Sequence, residues 1–325
     1  MIATNIGSLP WQGGPLADDL EKALRGHAGG TIAPEELQKV QDRATRQSVQ
    51  AQIEAGLDLV TDGLVRRSDP ISHVSRRFAG VSSGEEKDGC PGLKGAYRVP
   101  LVEDAIAWSG PILVEDYLFA KEGVDRPIKV ILTGPFTLAK LAEDRAYDEP
   151  NALAMGMATA LNQEIRALQE VGVTMVQVDE PSLLVHKSEF PVFTRLWEVL
   201  GRGVKADLAL HLPGGDIAGL YPGLLRLKRL AWLSLDLIAG RASLDLFRDH
   251  PLTEGPGLGL GLIEGGSESV EDPEALASLI KSTPGIPPPD RLWIGPASDL
   301  AGLPQALALD KLRSAARAAR LVDGA

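Results

Sequence analysis

The sequence predicts one (β/α)8 TIM barrel over residues 1–325, and three observations point to it. Eight short apolar runs read as β-strands. Each is followed by a helical or irregular segment, an alternation that favours a parallel sheet covered by helices. Polar residues recur at the downstream ends of the runs, the face on which this fold assembles its chemistry from several strands at once.

Taken in order, Ile2–Ile6 is the first run and exits at Gly7 and Ser8. Pro34 suits the first position of a helix whose stripe includes Leu37, Val40, Ala44, Ala51 and Ile53, and Gly56 can end it. Leu57–Asp62 is the second run. Residues 63–127 then form an excursion far longer than one helix needs, with Ser82–Gly95 rich in Gly, Ser and charge. Long excursions in compact domains are usually functional covers or disordered segments, and a lid or hairpin over the barrel mouth is expected here. Cys90 lies in it and reads as an incidental thiol, since the sequence offers no nearby histidine to lower its pKa.

The third run, Ile128–Thr133, ends on a hydroxyl. A helix over residues 151–171 carries Leu153, Met157, Leu161, Ile165 and Leu168 on one face, with Gly172 as its stop. Val173–Val178 exits at Asp179 and Glu180, Ala206–His211 ends on a histidine, and Ala231–Asp236 ends on a carboxylate. Gly257–Ile263 exits at Glu264. Its alternating glycines fit a close-packed strand better than a phosphate-binding loop. Arg291–Ile294 leads to Ser298 and Asp299, and a last helix over residues 304–321 gathers Arg and Lys toward its C-terminal half, as its dipole favours.

Composition narrows the function. Lys and Arg total 33 against 44 acidic residues, a net charge of −11, which argues against a broad nucleic-acid-binding face. No apolar run approaches the roughly 18 residues of a membrane span, and no basic segment followed by a long apolar core opens the chain. With one cysteine the chain has no internal disulfide and no structural zinc site needing two or more thiolates. A cytoplasmic enzyme with a small-molecule substrate is the expectation.

Adjacent carboxylates at a strand exit point in different directions. One of Asp179 and Glu180 can therefore face the barrel axis, to bind an amino group or act as a base, while the other braces a loop. His211, before a Gly-rich turn, is a candidate for the pocket. Gly7 before Ser8 lets a ligand carboxylate or phosphate approach backbone N–H groups. Arg66, Arg67, Arg76 and Arg77 add positive charge after the second run, and Arg66 is the one assigned to an anionic substrate group.

At these residues the chain resembles the catalytic C-terminal barrel of cobalamin-independent methionine synthase. The likeness runs nearly full length through Ile6-Gly7-Ser8, Gly56–Gly63, Leu132-Thr133-Gly134-Pro135, Gln177-Val178-Asp179-Glu180-Pro181, the strand ending in His211, and Leu292–Pro296. The resemblance implies a zinc-activated homocysteine thiolate taking a methyl group from a methylfolate. His211 matches the family's histidine ligand and Asp236 falls at its glutamate ligand, but Pro213 and Ser298 stand at its two ligand cysteines. Leu64 replaces a carboxylate that helps hold the homocysteine amino group, and Gly266 aligns with a histidine implicated in proton delivery, whose neighbouring acid is Glu264. Ser8 and Asp179 match the remaining amino-acid-binding positions.

The expectation is thus a methionine-synthase-like methyltransferase of one-carbon and amino-acid metabolism without the family's zinc. Its catalytic candidates are His211, Asp236, Glu264 and Ser298, and its substrate-binding candidates are Ser8, Gly7, Asp179 and Arg66. Folate and corrinoid donors, and with them a methyl-donor protein as partner, stay open. So do three alternatives: a homocysteine methyltransferase with a substitute metal site on His211 and Asp236, a zinc-free lyase or decarboxylase, and a non-catalytic binding protein.

Overall fold

The structure, a computed structural model, describes residues 1–90, 92–149 and 151–324, without the side chains of Cys90, Leu93 and Lys94. The reading of the Cys90 thiol therefore falls outside the described side chains. The strands in chain order are β1 (Ile2–Ala3), β2 (Ala79–Cys90), β3 (Leu93–Ala107), β4 (Val130–Thr133), β5 (Glu143–Asp144), β6 (Met175–Asp179), β7 (Asp207–Leu212), β8 (Leu230–Asp236), β9 (Gly257–Ile263) and β10 (Leu292–Pro296). Seven of them form one parallel sheet in the order β1-β10-β9-β8-β7-β6-β4.

The sheet closes into a barrel through an eighth stave that is barely a strand. Only the bridges Thr4 to Leu59 and Val60 to Ile128 join its edges, where a strand over Leu57–Asp62 was expected. Side chains supplement its few backbone bonds, such as those of the Asp58 N–H to the Ala3 carbonyl and the Lys129 N–H to the Val60 carbonyl, both at 2.9 Å. The Gln52 amide donates to the Thr61 carbonyl at 3.0 Å and accepts from the Thr61 N–H at 3.1 Å, and Asp58 accepts from the Ala3 N–H at 2.9 Å. The first run also ends early, at Ala3, because Asn5 turns the chain: its Oδ1 accepts from the Ile6 N–H at 2.9 Å and its Nδ2 donates to the Gly7 carbonyl at 3.0 Å. Helices Pro34–Glu54, Ala152–Glu170 and Gln305–Asp323 stand where the apolar stripes placed them. Among the described residues no helix is long and apolar enough to cross a membrane.

Inside the barrel the lower layer is Leu59, Met175, Ala209 and Trp293, with Ile2 and Trp232 packed against it. Trp232 and Trp293 stack with centroids 4.6 Å apart. The glycines of β9 make room for them: a Cβ on Gly257 would lie 2.4 Å from the Trp232 ring, and one on Gly259 would lie 1.8 Å from Trp293 Nε1. These close approaches explain the glycine alternation as packing. Lys129, also buried, holds its ammonium 4.6 Å above the Trp293 ring.

The excursion after the second stave contains the antiparallel hairpin β2–β3. Its base is tied to the barrel by the fully buried Glu164, which accepts from Trp108 Nε1 at 2.8 Å and from the N–H groups of Ile112 and Leu113. Its tip comes to the barrel mouth. A Cβ on Gly92, at φ +79°, would lie 2.5 Å from the Pro213 carbonyl and 2.9 Å from Pro181 Cβ, so the backbone approaches the loops after β6 and β7 as only glycine permits.

Candidate functional site

A cavity of about 560 Å³ opens at the C-terminal ends of the strands. Its polar wall includes Ser8, Arg67, Thr133, Asp179, His211, Ser298 and Asp299, and its apolar wall includes Leu9, Trp11, Leu64, Ile131 and Pro213. Gly92, Gly95 and Ala96 of the hairpin tip complete it. Parallel registry brings the central pair together, because Asp179 at the end of β6 lies opposite His211 on β7.

The two carboxylates after the fourth run do part company. Glu180 is fully buried and accepts from the N–H groups of Phe136 at 3.0 Å and Thr137 at 2.7 Å, bracing the first turn of helix Pro135–Leu141. Gly134 admits it, since a Cβ there would lie 2.2 Å from its Oε1. Asp179 lines the cavity and accepts from Gln177 Nε2 at 2.7 Å on Oδ1, which leaves Oδ2 without a protein donor among the described residues. Burial pushes the Asp179 carboxyl up to about 7, against the pull of Gln177, Lys129 and Arg67, and Asp299 adds to the rise.

Ser8 is committed to Asp299. Its hydroxyl donates to Asp299 Oδ1 at 2.6 Å and its N–H to Oδ2 at 3.0 Å. Gly7 allows this approach, because a Cβ there would sit 2.7 Å from Asp299 Oδ2. His211 is buried and its Nδ1 pairs with Ser234 Oγ at 3.0 Å. Burial, then the nearby Lys129 charge, holds its pKa down at about 3, so the imidazole is neutral and offers hydrogen bonds in place of a positive charge.

Three of the residues expected at the site do not line this cavity. Asp236 is turned into the loops: Oδ2 accepts from the Gly214 N–H at 3.0 Å, and Oδ1 from the N–H groups of Ile238 and Ala239. Glu264 is exposed, and its N–H donates to Glu271, which Lys311 holds. Arg66 points outward, paired with Asp42 and, at 2.5 Å, with Asp116, with its guanidinium over Phe119. Its neighbour Arg67 takes the inward position, donating to the Ile131 carbonyl at 2.6 Å, with Nε buried and without a partner among the described residues. The two follow one another at the end of a turn closed by the Arg67 N–H on the Leu64 carbonyl at 3.0 Å, and the sequence does not say which side is in.

Lys129, Gln177 and Asp299 were not among the expected site residues. A signal for Lys129 does exist, as a lone charge between Ile128 and Val130 in an apolar run. Leu64, at φ 54°, occupies a left-handed conformation rare for a branched apolar residue and sits in the cavity wall, its N–H held by Asp62.

The donors do not fit a tetrahedral zinc. A structural or catalytic zinc takes three or four N, S or O donors that converge. Here Asp236 spends its oxygens on three N–H groups, Pro213 and Ser298 stand where the resemblance sets the ligand cysteines, and His211, its Nδ1 paired with Ser234, can offer only Nε2. Among the described residues no three His, Cys, Asp or Glu side chains gather as a ligand set.

Comparison with known proteins gives a consistent relationship. The family model described as "Cobalamin-independent synthase, Catalytic domain" matches residues 1–321. A methionine synthase of Saccharolobus solfataricus is 29% identical, covering 98% of this chain and 94% of that protein. One of Sulfurisphaera tokodaii is 28% identical, covering 98% and 91%. The barrel superimposes on a B12-independent methionine synthase of Shewanella sp. W3-18-1, solved with selenomethionine, with a TM-score of 0.81 at 23% identity, covering 99% of this chain and 97% of that one.

Proposed function

Because the chain belongs to the family of cobalamin-independent synthase catalytic domains, we propose that it is a methyltransferase of methyl-thiol metabolism that works without the family's zinc centre. Its substrate is a small amino-acid-like or thiol compound. The observation that carries this reading is Asp179: a buried carboxylate with one oxygen free of protein donors among the described residues, in a cavity where Pro213 and Ser298 stand at the positions that the resemblance gives to ligand cysteines. The cavity volume is of the size that takes a small ligand. The selenomethionine of the Shewanella complex is a ligand of that kind.

In such a transfer the acceptor's lone pair forms the new bond to the methyl carbon as the donor–methyl bond breaks, the bonding pair leaves with the donor, and the proton that a thiol acceptor gives up passes to the departing donor or to solvent. Asp179 holds the acceptor's ammonium group. Arg67 offers a cation to its carboxylate. His211, neutral, orients the reacting atom by hydrogen bonding, and the apolar wall of Leu64, Ile131 and Pro213 keeps water from it. Methylfolate and a methyl-corrinoid are the donor classes, the second bringing a donor protein to the mouth.

The test is a calorimetric titration of the untagged protein with L-methionine and L-homocysteine, beside metal analysis and assays with each donor. Binding that depends on Asp179, with no stoichiometric zinc and little methionine formed from methylfolate, is the expected result. Robust methionine formation from methylfolate by a protein carrying one zinc per chain would overturn it.

A further inference from the structure

One residue of the cavity wall sits in a backbone conformation that its side chain resists. Leu64 has φ 54°, in the left-handed region that glycine and asparagine enter readily and a branched apolar residue rarely does. Its neighbours impose this. Gly63 before it, at φ +74°, is left-handed too and has no room for a side chain, since a Cβ there would lie 1.9 Å from Ser48 Oγ. Asp62 Oδ1 accepts from the Leu64 N–H at 3.1 Å, and the Leu64 carbonyl accepts from the Arg67 N–H at 3.0 Å. The Gly63 carbonyl accepts from the Leu9 N–H at 3.2 Å, which sets Leu9 beside the turn.

Core packing does not account for a leucine at this position. Its side chain is half-buried and, among the described residues, joins none of the molecule's hydrophobic clusters. It lines the cavity instead. The residues around it on the same wall are anchored in the core: Leu9 belongs to the main cluster, and Val65 packs with Leu20, Ala44 and Trp11. Leu9, Trp11, Leu64 and Val65 thus give the cavity an apolar face, while Asp179, His211 and Arg67 give it a polar one. Glycine or asparagine at position 64 would relax the backbone and keep its main-chain hydrogen bonds. Strain kept at a side chain that the core does not use points to a role toward the ligand.

We propose that Leu64 is a specificity-determining residue: with Leu9, Trp11 and Val65 it receives the side chain of an α-amino acid and selects one that ends in a thioether or alkyl group over one that ends in a hydroxyl or a charge. Leu9, Leu64 and Val65 offer no hydrogen bond, so a polar group laid on them gives up water without finding a partner. A methyl or thioether group gains by leaving water. The inference rests on the reading of Asp179 as the carboxylate that holds the ligand's ammonium group, and it names the class of side chain that fits at the other end.

The test is calorimetric titration of the full chain at pH 8 with L-methionine, L-norleucine and L-homoserine, beside thermal unfolding, for the wild type, L64N, L64G, L64M and D179N. The wild type should bind L-methionine and L-norleucine about tenfold or more tightly than L-homoserine. In L64N the preference should shrink to about twofold, through lost affinity for the two apolar ligands. Its thermal midpoint should stay at or above that of the wild type, because asparagine tolerates the left-handed backbone. L64M, apolar in the same strained conformation, should keep the preference, and L64G, which relieves the same strain, repeats both readings of L64N. A preference unchanged in L64N and L64G, or midpoints well below wild type in both, would overturn the proposal, the second by showing the leucine to be structural. Equal binding of all three ligands by the wild type, lost in D179N, would sink the role of Leu64 and leave the reading of Asp179 standing. A preference for the apolar ligands that persists in D179N would do the reverse. A wild type that binds none of the three would sink both.

Discussion

Asp179→Asn separates a ligand-binding carboxylate from a structural one. The substitution keeps the shape and still offers Gln177 Nε2 an acceptor at Oδ1, so the barrel stays folded. Affinity for L-methionine should drop by roughly 2–5 kcal/mol, the usual cost of removing one partner from a desolvated charge pair. Stability should move the other way. The folded-state pKa of Asp179 is raised from 3.8 to about 7, so the native state holds a proton that the unfolded chain has released. The residue therefore costs nothing below pH 4, and its penalty grows as pH rises through the window up to about 7. At 1.36 kcal/mol per pH unit the full penalty is of the order of 4 kcal/mol. Asparagine escapes it, although loss of the carboxylate removes a charge that favours the Lys129 ammonium and with it part of the gain. The expectation is a thermal midpoint equal to wild type near pH 4 and a few degrees higher above pH 7, with the loss of affinity relative to wild type appearing above pH 7. Calorimetric binding and unfolding scans on both proteins at those two pH values would check it. Normal binding by the variant, or a midpoint that falls at every pH, would show Asp179 to be part of the core.

The other expectations follow the same geometry. Metal analysis of untagged protein should find no stoichiometric zinc, and one zinc per chain that disappears in His211→Ala would refute the reading of the donor set. Gly259→Ala puts a Cβ 1.8 Å from Trp293 Nε1 and should cost about 1–3 kcal/mol or more in a denaturant titration; a variant as stable as wild type would disprove the packing account of the glycine strand. Arg66→Ala should lose stability but keep ligand affinity, and Arg67→Ala should do the opposite, since only the second lines the cavity; equal affinities in the two variants would contradict the assignment. Glu264→Gln, on an exposed side chain, should leave turnover and affinity within about twofold of wild type.

The barrel was legible in the sequence because strand and helix have different periods, and eight apolar runs with polar exits leave few other ways to bury that surface. The runs of β6 and β7 each ended one residue beyond where expected, and Asp179 and His211 still met at the mouth, parallel registry being set by the strands themselves. That the chain carries a single cysteine was equally plain, since it is a matter of residue type alone. What the tertiary structure decided is which way each polar side chain turns and what it already holds. Asp236 looked like a catalytic acid and instead holds three N–H groups of the loops around it. Arg66 and Arg67 are alike in composition, but only packing sends one to Asp42 and Asp116 and the other to the cavity. Ser8 met Asp299 across nearly the whole chain, through a gap that Gly7 leaves open. Lys129 showed in the sequence only as a lone charge in an apolar run; its burial, and an Nζ without an acceptor among the described residues, are properties of a closed barrel. Residue type and local period are written along the chain. The direction of a side chain, and the charge it keeps once water is gone, depend on neighbours far apart in sequence, and those exist only after the fold has closed.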